Sequence, residues 1–376
     1  MTQVSNHQAV NQAVNEVRPR DYDVPMARSE DGRLIDILAD IAVLTVQRVL
    51  ESAEGGCLAA VRRLHRLQIE NQFIRDRLSR MERRRVTKLD MPAFLVAQTN
   101  PERLNRTSSK PIPPPGIRLA GQSDIDTYIR YSNILWQQAG RQFPFRFHAG
   151  GEKLVAAVNP WPFGKNHTTV IWGDEPPQEC NSELEIASVV KVMLSLAETF
   201  RGWLVLFNAM AGPSIPYVRH VHILELEPAQ RPLPIQHAAA RAAADLGMSA
   251  KLAVGTKYHP MPVFRFAGPD AAGEVVRACA AWRSRLEDAT ENLLAVVEND
   301  QPVIYLALRQ KGLVKAPGLA GDVAALEVAG EFVLATESEI RAVREGSLAY
   351  ADLASVLRNV TPWQVFEMFD RLASAA

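Results

Sequence analysis

The chain has 376 residues with 42 basic and 42 acidic side chains, so it has no net charge and no global field that would select nucleic acid or an anionic membrane. Its 47% hydrophobic and 22% charged content is ordinary for a globular protein of one large domain or two to three smaller ones. Three separated cysteines (Cys57, Cys180, Cys279) without a C-x-x-C pair argue against a disulfide framework or zinc ribbon; with no apolar signal core and no membrane-length apolar run, the expectation is a cytoplasmic, soluble protein with no metal or other cofactor.

Residues 1–30 are polar and read as a disordered tail. Residues 31–86 read as a helical arm. Leu34, Ile37, Leu38, Ile41, Leu44 and Val49 recur mostly at three- and four-residue steps, and Gly55-Gly56 breaks the pattern. Ala60, Leu64, Leu67, Asn71, Ile74, Leu78 and Met81 then follow the four-three alternation of a short coiled coil. An Asn in such a seam sets register and oligomer number, so the arm is expected to make a homodimer. Its outer face is basic, through Arg62, Arg63, Arg66, Arg75, Arg77, Arg80 and Arg83 to Arg85. That face is either an RNA or anionic-partner patch or a solvated coiled-coil surface; no aromatic residues interleave to stack on bases, which favours the solvated surface. Residues 87–120 include Lys110-Pro-Ile-Pro-Pro-Pro-Gly116 and read as a stiff linker at a domain boundary.

Residues 121–240 carry the chemistry. The patterns predict a helix over 123–139, strands over 143–148 and 153–158, a turn shaped by Pro160, Pro162 and Gly164, a strand over 167–172 and a helix over 183–200. They lead to the stretch from Gly202 to Pro228, around which the chain is organised. An apolar run, Trp203 to Phe207, ends at Asn208 and a small-residue loop, Ala209 to Pro216. His220 and His222 then alternate with Val221 and Ile223, so a period of two projects both imidazoles from one strand face. The Gly212-Pro-Ser214 loop offers backbone N–H groups and a hydroxyl to an anion. Neutral imidazole is a good nitrogen nucleophile near neutral pH. On its own, the histidine pair reads more readily as buried or metal-binding residues of a β protein.

A second block decides between these readings. Asn159-Pro-Trp-Pro162-Phe-Gly-Lys-Asn-His167 followed by Asn208, Gly212, Ser214, His220 and His222 resembles the histidine triad superfamily, in its branch of galactose-1-phosphate uridylyltransferases and GDP-hexose phosphorylases. That resemblance implies an N-x-x-P-x-x-x-x-H segment whose Asn159 faces a ribose and whose His167 lies near the phosphates. It implies that the second histidine of His-x-His attacks the α-phosphorus of a nucleotide and forms a nucleotidyl-histidine. Asn208, Gly212 and Ser214 would then belong to the nucleotide- and phosphate-binding set. The substrate would be a nucleotide sugar, with phosphate or a sugar phosphate as acceptor; a dinucleoside polyphosphate is the alternative.

The departures from the family pattern are local. Tyr217, Val218 and Arg219 lengthen the loop, and Leu224 stands where active relatives carry Gln or His. Aligning both histidines makes His222 the nucleophile; a rival register makes it His220, with His222 in the third position. Arg219, Gln230 and Gln236 are nearby candidates to replace the missing donor. A further reading is a nucleotide-binding protein whose catalysis decayed at Leu224.

Residues 241–376 read as a degenerate second unit and a closing cap. Strands are predicted over 263–266 and 302–308 with a long helix over 271–292, followed by a strand near 330–337 and helices over 338–343, 350–357 and 363–372. The segment Tyr305 to Gly312 resembles the family strand whose basic end approaches the phosphates, which makes Arg309 and Lys311 candidate substrate contacts. The expected architecture is α+β: two histidine-triad-like antiparallel units, the second without a His-x-His, preceded by the helical arm.

Overall fold

The computed structural model describes residue 51 and residues 54–70, 78–89, 92–103, 145–159, 161–172, 178–213, 219–246 and 258–375. The polar tail, the first arm helix, positions 71–77 of the seam, the proline-rich stretch, the helix expected over 123–139 and Ser214 lie outside these residues. The helices are α1 (Gly56–Glu70), α2 (Glu183–Thr199), α3 (Pro234–Leu246), α4 (Ala271–Arg283), α5 (Ala325–Val328), α6 (Glu337–Glu345), α7 (Tyr350–Asn359) and α8 (Trp363–Ala375). The strands are β1 (Glu82–Thr87), β2 (Phe94–Thr99), β3 (Phe145–Ala149), β4 (Glu152–Val158), β5 (Lys165–Trp172), β6 (Trp203–Asn208), β7 (His220–Glu225), β8 (Phe264–Ala267), β9 (Ala289–Glu298), β10 (Gln301–Gln310) and β11 (Glu331–Leu334).

The protein is α+β, and its two units share one antiparallel sheet of order β3-β4-β5-β7-β6-β9-β10-β8. In the first unit α2 carries the chain from β5 to β6, with β7 between them; in the second α4 carries it from β8 to β9, with β10 between them. The two halves meet where β6 pairs with β9, from Val205↔Ala295 to Asn208↔Asn292. β10 has no histidine. The long helix expected over 271–292 is therefore corrected: it ends at Arg283, and β9 begins at Ala289. An apolar run such as Leu293 to Val297 has no alternation, because a strand buried on both faces reads like a buried helix segment.

Helix α2 is set at its start by a capping box, in which Ser182 accepts from the Glu185 N–H and the Glu185 carboxylate accepts from the Ser182 N–H. Val189, Val190, Met193 and Leu196 bury its broad apolar stripe against one face of the sheet, where α1, α4 and α8 also pack. On the other face lie α3, α5, α7 and a second, three-stranded sheet of order β1-β2-β11.

That second sheet corrects the expected arm and linker. Residues 82–103, divided between the two by the sequence patterns, build β1 and β2, and β2 runs parallel to β11 from the far end of the chain. Arg83 to Arg85 thus lie on a strand and not on a helix face: Arg83 pairs with Glu331, Arg84 donates to the Val343 carbonyl at 2.7 Å, and Arg85 lies 3.9 Å over the Phe94 ring. The seam is also reassigned. Ala60, Leu64 and Leu67 of α1, expected to face a second coil, are buried with Val61 in the chain's own core against β3, β4 and β5.

On the same helix, His65 Nε2 lies 2.7 Å from Thr168 Oγ1, and Arg62 forks onto Glu225 at 2.6 and 3.3 Å. Burial pushes the His65 imidazole down to about 3, against a weaker upward pull from Glu225. The folded value lies below the unfolded one, so the contribution of this site is intact above about pH 6.5 and is lost as pH falls towards 3, at about 1.4 kcal/mol per pH unit. His65→Gln removes that proton linkage. Its destabilisation, measured from urea midpoints, is expected to shrink by about 2 kcal/mol between about pH 8 and about pH 5; a pH-independent difference would contradict the assignment.

Candidate active site

β7 pairs with β5 through Thr169↔His222 and Ile171↔His220, and with β6 through Leu206↔His222 and Leu204↔Leu224. Alternation along β7 sends Val221 and Ile223 into the core beneath α2, and turns His220, His222 and Leu224 to the opposite face. The two imidazoles stand edge to face, with centroids 5.0 Å apart and planes at 86°. Both are buried, at 1% and 7% exposure.

His167 joins them from the start of β5. Its Nε2 lies 3.0 Å from His222 Nδ1, and the Thr169 hydroxyl is 3.5 Å from the same nitrogen. The Phe163 ring sits 3.9 Å from the His167 ring, and the Phe163 N–H points at His167 Nδ1 from 3.4 Å. His167 and His222 therefore share one proton. With that proton on His222 Nδ1, the ring donates to His167 and carries its lone pair on Nε2, the form required for attack by Nε2. In that tautomer His167 carries its own hydrogen on Nδ1, facing the Phe163 N–H at 3.4 Å; the opposite tautomer lets His167 Nδ1 accept from that N–H and puts the His222 hydrogen on Nε2. Any positive charge that developed on His222 would make the bond to His167 charge-assisted and stronger.

The other residues singled out from the sequence have varied positions. Asn159 Oδ1 accepts from the Trp161 N–H at 2.9 Å and its Nδ2 donates to Thr169 Oγ1 at 3.2 Å, so this side chain shapes the turn that carries Phe163. Asn208 Oδ1 accepts from the Ala325 N–H at 2.7 Å and from Asn292 at 2.9 Å, which ties the end of β6 to the start of α5. Gly212 has φ +83°, and a Cβ there would meet the Val323 carbonyl at 3.0 Å, so the loop can lie against this segment only with glycine. Arg309 is fully buried: it donates to Asn292 Oδ1 at 2.6 Å and to the Leu313 carbonyl at 3.0 Å. Burial lowers its guanidinium to about 10, so it remains a cation at neutral pH. Arg309 is thus an internal anchor of the loop network. Lys311 pairs with Glu179 and borders a polar cavity of about 130 Å³ lined also by Cys180, Arg283 and Thr290.

Leu224 is 1% exposed, and a Cβ on Gly164 would come within 2.7 Å of its Cδ1. The third position of the motif is therefore filled by apolar packing. The three suggested replacements are each engaged by other groups: Arg219 pairs with Glu185 at 2.8 Å, Gln230 accepts from the Glu227 N–H, and Gln236 donates to Glu298.

Four contributors carry no sequence signal of their own. Gln98 donates to the Phe163 carbonyl at 2.7 Å, Asn100 to the Pro162 carbonyl at 3.5 Å, and Arg103 to the Trp161 carbonyl, so β2 and the turn after it hold the roof over His167. Gln178 joins β6 to β7 at the edge of the site. Among the described residues, no group of three or more His, Cys, Asp or Glu is placed to hold a metal ion, and no helix is long and apolar enough to cross a membrane.

No protein-family model matches the sequence, and no curated protein matches it either. Solved structures do resemble the fold. Yeast Ap4A phosphorylase Apa2 in complex with Ap4A superposes with a TM-score of 0.50 at 13% identity, over 79% of this chain and 95% of that one. The same enzyme in complex with AMP gives a TM-score of 0.50 at 12% identity, over 80% and 95%. At such identity the likeness is one of fold.

Proposed function

We propose that this chain is a nucleotidyltransferase working by double displacement, a phosphorylase or transferase acting on a nucleotide sugar. His222 Nε2 attacks the α-phosphorus, the P–O bond to the sugar phosphate breaks, and a P–N bond forms; inorganic phosphate or a second sugar phosphate then displaces the histidine. Splitting one displacement into two lets one pocket serve both partners. The observation that supports this reading is the His167–His222 pair, held at 3.0 Å between β5 and β7, with His220 on the same face of β7 as His222. His167 orients the attacking ring, and His220 supports it from the edge. The Gly212 amide and Ser214 would stabilise charge on the five-coordinate phosphorus, where one such donor is worth about 3 kcal/mol.

A second substrate, a dinucleoside polyphosphate, is favoured by the fold neighbours, which were solved with Ap4A and with AMP. Incubation with Ap4A and with a panel of UDP- and GDP-hexoses, each with phosphate, with a hexose 1-phosphate whose exchange into nucleotide sugar also counts as release, and with neither, tests both. Phosphate-dependent release of a nucleoside diphosphate is the expected result, and the substrate that gives it decides between them. Specific binding without release from any member would replace transfer by nucleotide binding alone, the reading that Leu224 favours.

A further inference from the structure

The β6–β7 ladder stops early. Its pairs run from Trp203↔Glu225 to Leu206↔His222, yet β6 continues to Asn208, where it is held by β9. The next partners in that register, Asn208 and His220, are bridged by a side chain. Gln178, 0% exposed, donates from Nε2 to the Asn208 carbonyl at 3.1 Å and to the His220 carbonyl at 2.9 Å, and its Oε1 accepts from the His220 N–H at 2.7 Å. The carboxamide thus replaces direct strand pairing and acts as a wedge between the end of β6 and the start of β7.

The wedge is fixed from its own side as well. The carbonyl of Glu179 accepts from Arg219 at 3.3 Å, the Glu179 carboxylate pairs with Lys311, and Ser182 starts the capping box of α2. Arg219 also pairs with Glu185 in the first turn of that helix. The segment 178–185 is therefore clamped to the residue that immediately precedes His220.

We infer that Gln178 is a positioning residue: it sets the separation of β6 and β7 where their ladder stops, and through it the place of His220 and His222 relative to His167. This rests on the transfer reading above. Gln178→Glu keeps an acceptor for the His220 N–H but turns an anionic oxygen towards two carbonyls. Gln178→Met keeps the length and removes all three hydrogen bonds. Single-turnover formation of the covalent adduct separates positioning from mere support. The rate constant per competent site is expected to fall about a hundredfold in both variants, the scale of an ångström-sized misplacement, while the amplitude stays near that of the unaltered protein. Reduced amplitude with an unchanged rate constant would mark a structural role alone and overturn the inference. If the unaltered protein forms no adduct with any substrate, the transfer reading fails by itself. The wedge is then judged by the imidazole resonances of His220 and His222, which Gln178→Met should displace; unmoved resonances would overturn it.

Discussion

Protein incubated with its nucleotide substrate and quenched in base is expected to carry the labelled nucleotidyl group on His222, and His222→Gly is expected to lose transfer by about 10⁴-fold or more, the scale for removal of a nucleophile. The geometry gives the reason. His222 Nδ1 lies 3.0 Å from His167 Nε2, and that bond would both fix the ring's orientation and absorb charge as Nε2 attacks. A phosphorus–nitrogen bond survives base and breaks in acid, unlike an ester on Ser214, so the quench itself distinguishes the two. His222→Gly should still bind nucleotide, because His167, the Phe163 turn and the Gly212 loop are held by other contacts. Mass-spectrometric mapping of the label decides the register. Label on His220 would establish the rival one, and label on neither histidine despite turnover would remove the double displacement.

The strand face of His220 and His222 could be read directly from the sequence because two imidazoles alternate with Val221 and Ile223, a local period of two that shows even though β7 is buried on both faces. The apolar stripe of α2 and its capping residues, Ser182 and Glu185, are local in the same way. What the sequence concealed is long-range. β9 is buried on both faces, so its run lacks a period, yet it is the strand that joins the two units. The Gln178, Gln98 and Arg103 side chains act on carbonyls far away in sequence, and a hydrogen bond to a carbonyl leaves no trace in the partner's identity. Arg309 shows the same dependence on long-range partners. A basic residue at a strand end suits a phosphate contact, but here the backbone carbonyls of Leu313 and Val323 and the Asn292 side chain take up the guanidinium. Its counterpart Lys311 is likewise committed to a carboxylate.

The amphipathic stripe of residues 57–81 illustrates a different ambiguity, and it leads to the second large effect. A four-three apolar spacing reports only that one helix face is covered; it does not say whether a second copy or the chain's own sheet covers it. Here Val61, Leu64 and Leu67 are buried against β3, β4 and β5, at about 1.5–3 kcal/mol for each such side chain. The sum is on the order of 4–9 kcal/mol, comparable to the whole stability of a typical domain at about 5–15 kcal/mol. The Arg62–Glu225 pair adds little, because the arginine is about half exposed. A chain starting after Glu70 would also uncover the apolar face of β3 to β5 that α1 now shields. It is therefore expected not to reach a cooperatively folded state, with no thermal transition by calorimetry and with aggregation by light scattering. The milder Leu64→Ala should lower stability by about 2–5 kcal/mol while leaving the mass in solution unchanged. A truncated chain with an unaltered Tm would show the helix to be a detachable module, and a change of oligomeric state in Leu64→Ala without loss of stability would return the seam to a partner copy.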